Sequence, residues 1–222
     1  MNLNNIIDLE RTITKTIFES SDNYWEIIPK IKDYLITLGN SLNKDHYTMI
    51  NDNVWIGENV TIDKSSTIIG PCIIDDNTII GPSAYIRENV IIGKNSIIGN
   101  STEIKNSIIF DNCELAHFNY VGDSIIGYHC HLGAGAIISN LKNDKSNVLI
   151  KDNNKIIDTK LQKFGAIIGD NIDIGCNSVI FPGAIIYPNT SIYPLTRVRG
   201  IIKEDSIVKS EKEIVAKNKI CK

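Results

Sequence analysis

Residues able to do chemistry concentrate between Leu115 and Leu141, in LAHFNYVGDSIIGYHCHLGAGAIISNL. His117 can take and return a proton near neutral pH. Tyr120 follows three places later, and Gly133-Ala134-Gly135 and Asn140 close the stretch. Two cations lie upstream, Arg87 in GPSAYIR and Lys105 in GNSTEIK. A base, a phenol, an amide and a pair of cations suit proton transfer on a substrate held by an anionic group. Singly each is weak: a lone surface histidine usually does nothing, and two solvated cations can simply splay apart. The question is whether the fold gathers them.

The positioning elements follow from a repeat. From Ile56, aliphatic residues recur at a step of six through Ile62, Ile68, Ile74, Ile80, Ile86, Ile92, Ile98 and Ile104. The series continues as Ile109, Leu115, Val121, Ile126, Leu132 and Ile138, with two steps of five, and resumes as Ile168, Ile174, Ile180, Ile186, Ile192 and Val198. No helix has a period of six, and a free strand has a period of two. A strand plus a turn, its aliphatic always facing one axis, accounts for the step. Three such units close a triangle of about 18 residues, so these positions predict about seven coils stacked roughly 4.8 Å apart. The residue four places after each aliphatic is usually small and fills an inward slot. Cys72, Cys113 and Cys130 occupy such slots and read as packing, whereas Cys176, two places after Ile174, faces outward.

The register places the candidates. Ile86, Ile104, Val121 and Ile138 form one column on one face, so Arg87 and Lys105, each one place later, stack one coil apart. Like charges so placed usually share an anion. His117 points away from the axis on the preceding face, with Ala134 stacked over it. Tyr120 stands at the corner between the two faces, and Asn140 lies two places after Ile138.

Residues 1–48 differ. Ile6, Leu9, Ile13 and Ile17 form one apolar stripe, and Trp25, Ile28, Ile31, Leu35 and Leu38 a second after a turn at Ser20-Ser21-Asp22-Asn23. Helical spacing predicts a hairpin of two helices capping an end of the stack. The stack spans 49–208, residues 141–164 leave it as a loop or arm, and 209–222 form a tail that follows a short irregular last strand and frays. A net charge of −3 shows no basic field for nucleic acid. No apolar run approaches the roughly 18 residues of a membrane span, and MNLNNIIDLERT lacks the apolar core of a secretory leader. Five scattered cysteines without a CxxC pair argue against a disulfide framework or zinc ribbon. The expected compartment is the cytoplasm.

HFNYVGDSIIG followed by LGAGAIISN resembles the hexapeptide-repeat acyltransferases, in particular the acetyltransferase domain of N-acetylglucosamine-1-phosphate uridyltransferase and archaeal sugar-1-phosphate nucleotidylyl/acetyltransferases, from about Gly81 to Val198. The resemblance implies an all-β, left-handed parallel β-helix. It also implies a homotrimer with sites between neighbouring prisms. By motif it makes His117 the general base, Tyr120 and Asn140 further catalytic or substrate-contacting groups, and Arg87, Lys105 and Tyr120 substrate-binding. Lys145 or Lys142 approximately matches a further phosphate-contacting lysine. Ala134, Gly135 and Cys176 match the acetyl-CoA groove. Two departures stand out: Leu141 replaces the family's tyrosine after the asparagine, and no glycine-rich nucleotide signature opens the chain.

The expected function is transfer of acetyl from acetyl-CoA to the amine of a hexosamine-1-phosphate or amino-sugar nucleotide, with His117 as base, backbone N–H groups near Gly133–Gly135 holding the oxyanion, and no metal. Two alternatives stay open. One is a sugar-phosphate-binding scaffold that has lost transfer. The other is a carbonic-anhydrase-like metal enzyme using His129 and His131.

Overall fold

The six-residue step becomes a coil of three short strands in the structure, a computed structural model that describes residues 5–19, 21–152 and 155–217. Strands from Val54–Ile56 onward stack in parallel as a first face, those from Thr61–Ile62 as a second, and those from Thr67–Ile68 as a third. The register is the one the spacing requires. Ile86 pairs with Ile104, Ile104 with Val121, Val121 with Ile138 and Ile138 with Ile180, all inward and fully buried. Each contributes about 1.5–3 kcal/mol of burial.

The first and second faces hold nine strands each and the third seven. One end strand on each of the first two faces is antiparallel, leaving eight coils where the spacing predicts about seven. The extra coil lies past Val198, where Ile202 and Val208 continue the inward columns. The expectation of a fraying tail is corrected as far as residue 217. Ser206–Ser210 is a rung, and Glu213–Ala216 folds back on it. Thr48–Asn51 does the same at the other end, so each of these parallel edges is covered rather than left as a template for another chain. Cys221 falls outside the described residues.

Corners explain the use of asparagine. Asn59, Asn77, Asn95, Asn112, Asn171 and Asn189 turn the first face into the second with φ between +54° and +59°, a region asparagine tolerates better than other side chains. The small slots satisfy carbonyls of the next coil: Thr78 donates to Gly93 O at 3.0 Å and Thr102 to Leu115 O at 3.2 Å. Cys113 and Cys130 donate in the same way through their thiols, to Gly127 O at 3.0 Å and Gly169 O at 3.1 Å. Burial pushes the Cys72 and Cys130 thiols up, away from thiolate chemistry. Cys176 is exposed.

The N-terminal expectation needs correction twice. The first stripe forms only a 3-10 turn, Leu9–Arg11, and one α-helical turn, Lys15–Phe18. The second is a 3-10 helix, Tyr24–Lys30, running into the one longer helix, Ile31–Ser41. Nor does this segment cap an end. Ile6, Phe18, Trp25, Ile28, Ile31 and Leu35 pack along the flank of the first face, on Trp55, Ile73, Ile91, Ile108, Ile125 and Ile167. Those residues each precede an inward aliphatic by one place, so the face is apolar on both sides and must be covered. Residues 141–164 include an antiparallel hairpin, Leu149–Asp152 with Lys155–Asp158, whose flanking Val148 and Phe164 are buried with Ile150 against the same face. Among the described residues, the second and third faces carry no such cover.

Candidate active site

Two groups of residues flank the edge between the second and third faces. His117 ends the strand Glu114–His117 on the second face, and Tyr120 begins Tyr120–Gly122 on the third. Between them Phe118 turns the corner at φ 53° while 59% exposed, an uncommon state for a bulky apolar residue. The corner is held by Asn119, which sequence reasoning missed. Its buried side chain accepts from the His117 N–H at 3.3 Å and donates to Gly133 O at 2.8 Å, tying the histidine turn to the glycine turn above it. The signal was available: an amide sits in a slot otherwise filled by Ser, Thr, Ala, Cys or a β-branched aliphatic such as Val90 and Ile172.

The His117 imidazole is exposed and has no hydrogen-bond or ion-pair partner among the described residues. Above it, Ala134 and Cys176 occupy the same register position on successive coils. The N–H groups near Gly133–Gly135, where oxyanion donors are expected, divide into two kinds. Gly133 N–H donates to Ile174 O at 2.7 Å and Gly135 N–H to His117 O at 3.0 Å, so both serve the ladder. The Ala134 and Cys176 N–H groups, one above the other, are without partners among the described residues. Gly135 holds φ +73°, which lets the turn present Ala134 outward.

On the third face Tyr120 pairs in register with Glu103, and Gly122 with Lys105. The Tyr120 phenol lies over Gly122 beside Asn140: a Cβ on Gly122 would stand 2.6 Å from both Tyr120 Oη and Asn140 Nδ2. Asn140 donates to Asp123, whose other oxygen accepts from Asn106 Nδ2 at 2.7 Å. Asn106 and Asp123 sit in the left-handed region at the two corners shortened to five residues, which stack at a spacing of 17 with Asn140. Burial, then the Asp123 and Glu103 carboxylates, push the Tyr120 phenol up, so it acts as a neutral hydroxyl.

Arg87 is less free than its stacking with Lys105 implies. Its Nη1 is 3.0 Å from Glu103 Oε1, its Nε is 3.8 Å from Glu88 Oε2, and that Nε makes no hydrogen bond among the described residues. Lys105 alone of the two has no side-chain partner among the described residues. Lys145 is exposed in the arm's turn and shows no contact with this cluster; Lys142 is engaged with Ser146 and Asn147 in the same turn. Farther along the third face, Phe181 and Arg199 line a cleft of about 590 Å³ with Lys142 and Lys151, the Arg199 guanidinium lying 3.7 Å above the Phe181 ring. His131 Nδ1 is 2.8 Å from Asp173, and neither it nor His129 belongs to a group of three metal-type donors among the described residues.

Comparison with known proteins bears on this chain in part. "Bifunctional protein GlmU" of Methanococcus maripaludis strain C5 is 43% identical over 77 residues, covering 35% of this chain and 18% of the relative. The "Bifunctional sugar-1-phosphate nucleotidylyltransferase/acetyltransferase" of Sulfurisphaera tokodaii is 38% identical over 77 residues, covering 35% and 19%. The aligned stretch thus spans under a fifth of these curated relatives. Among solved structures, AntD, an N-acyltransferase from Bacillus cereus bound to dTDP and 3-hydroxybutyryl-CoA, is 19% identical with a TM-score of 0.38, covering 74% of this chain and 78% of its own. The family model described as the GMPPB C-terminal domain matches residues 68–193, more than half of the chain and every coil from Arg87 to Cys176. The chain belongs to that family.

Proposed function

We propose that the chain is a CoA-dependent N-acetyltransferase, moving acetyl from acetyl-CoA to the amine of a hexosamine-1-phosphate or amino-sugar nucleotide. What supports it most is the edge at His117: an exposed imidazole in register beneath two backbone N–H groups, next to a corner leading to a phenol, an amide and a lysine, the N–H groups and the lysine being without partners among the described residues. In this reading the amine nitrogen forms a bond to the thioester carbon, the C–S bond breaks, and CoA leaves as the thiol. His117 takes the proton from the amine and returns one to the departing sulfur, a contribution of roughly 10²–10⁴-fold. The Ala134 N–H faces the developing oxyanion, and the Cys176 N–H serves an amide of the CoA arm. Lys105, joined by Arg87 on release from Glu103, holds the phosphate, while Tyr120 and Asn140 orient the sugar.

The working unit in this reading is residues 49–208 in a cytoplasmic homotrimer. Ile79 and Ile97 stack in register on the second face at 45% and 37% exposure, and Phe118 and Leu195 stand exposed at the shared edge. Such apolar surface on the uncovered faces suits a neighbouring prism closing the site. Thiol release from acetyl-CoA with glucosamine-1-phosphate or galactosamine-1-phosphate tests the activity. Absence of turnover with every amino-sugar phosphate and nucleotide, or full turnover in His117→Ala, overturns it. The pairing of Arg87 with Glu103 and the unsupported imidazole favour a second reading, a binding scaffold. Calorimetric binding of the sugar phosphate without thiol release selects that one.

A further inference from the structure

Away from this edge, the first face holds an acidic residue whose neighbours on the coils to either side are glycine. The position one place after the inward aliphatic reads Gly57, Asp75, Gly93, Phe110, Gly127, Gly169, Tyr187 and Lys203. Asp75 is 0% exposed. Its Oδ1 accepts from Tyr47 Oη at 2.6 Å and from the Asp76 N–H at 2.9 Å, but its buried Oδ2 has no hydrogen-bond partner among the described residues. Leaving a carboxylate oxygen buried and unpaired is costly.

His46, on the turn leading from the helix Ile31–Ser41 into Thr48–Asn51, reaches the same place. Its Nε2 lies 2.8 Å from Asp76 Oδ1, and one donor atom from each of His46, Asp75 and Asp76 falls within 4.8 Å of the others. The far side of the ring is supported, since Nδ1 is 3.3 Å from Glu58 Oε1. Asp76 is fixed by the Glu58 N–H at 2.9 Å and by Lys94 Nζ at 2.9 Å on its other oxygen. One ring nitrogen on a carboxylate of this cluster, with the second nitrogen on a further carboxylate, is the arrangement in which a metal-bound histidine is held. The buried Asp75 Oδ2 is an acceptor that a bound cation would satisfy.

We propose that His46, Asp75 and Asp76 form a site for a divalent first-row metal ion, Zn²⁺ by its donor set, fastening the N-terminal segment to the second coil. One imidazole and two carboxylates suit zinc better than the all-oxygen shells of calcium or magnesium. Donors on one zinc stand roughly 3.4 Å apart at bonds of about 2.1 Å, and His46, with its side chain 32% exposed, has room for that adjustment. Water completes the shell on the open side.

The test uses the full chain stripped with EDTA and titrated with Zn²⁺ alone, by calorimetry and elemental analysis. Wild type is expected to take up one equivalent, and His46→Gln and Asp75→Asn to lose at least tenfold in affinity, with His131→Gln unchanged. Zinc raises the melting temperature of wild type and not of His46→Gln. Asp75→Asn, relieved of its unpaired charge, melts higher than metal-free wild type. No stoichiometric uptake by wild type, or equal uptake by His46→Gln, overturns the site. Because no readout is acetyl transfer, either result leaves the reading of the His117 edge untouched.

Discussion

The substitution Gly122→Ala puts the reading of the third face at risk most directly. Gly122 pairs with Lys105 in the ladder and its φ is ordinary, so alanine fits the backbone. Its methyl, however, would come within 2.6 Å of both Tyr120 Oη and Asn140 Nδ2. Asn140 is anchored on Asp123, and Asp123 on Asn106, so the phenol, at the free end of its side chain, is what moves. A displaced Tyr120 hydroxyl loses one hydrogen bond to the acceptor, about 1 kcal/mol of positioning, near fivefold. A sugar shifted by about 1 Å loses up to about 100-fold. We therefore expect kcat/KM for acetyl transfer to fall between roughly 5- and 100-fold, with the denaturant midpoint little changed because no inward residue is touched. Initial rates by thiol release, with an unfolding curve on the same sample, decide it. Wild-type kcat/KM in a variant that folds normally would refute the assignment of Tyr120 and Asn140 to the acceptor site.

Lys105→Met removes the free cation and should raise KM about 10-fold or more for a phosphorylated amino sugar while leaving the unphosphorylated sugar's weak turnover unchanged, read from paired Michaelis curves. Phe110→Ala empties a fully buried site that touches Phe18 edge-to-face at 5.5 Å; it should cost about 3–5 kcal/mol in urea unfolding and expose residues 5–41 to limited proteolysis. Burial pushes the Asp111 carboxyl up to about 6 from its ordinary 3.8. The folded state therefore holds that proton more tightly than the unfolded chain, and the associated stability is present below about pH 4 and lost as pH rises through 6. Asp111→Asn should accordingly be more stable than wild type at pH 8, the gain vanishing toward pH 4, in EDTA-containing melts.

Much of this was legible because a six-residue period fixes direction as well as element. Once Ile86, Ile104 and Val121 are known to face one axis, the relative places of Arg87, Lys105 and Tyr120 follow without coordinates, and so do the inward slots of Cys72, Cys113 and Cys130. The N-terminal stripes were legible as apolar but not as a flank, since helical spacing says that a face is buried and not against what. Ile73 and Ile91 on the first face are covered, whereas the similar doublets at Ile79 and Ile97 on the second are open.

The sequence by itself determined the coil, its register and the edge where His117 and Tyr120 meet, because backbone pairing in a parallel stack carries one repeat onto the next. Tertiary structure alone decided that Arg87 pairs with Glu103, that Gly133 and Gly135 spend their N–H groups in the ladder while Ala134 and Cys176 keep theirs, and that His46 reaches Asp75 and Asp76. Those outcomes depend on side-chain reach and on packing between segments distant in the chain, which a periodicity of positions does not encode.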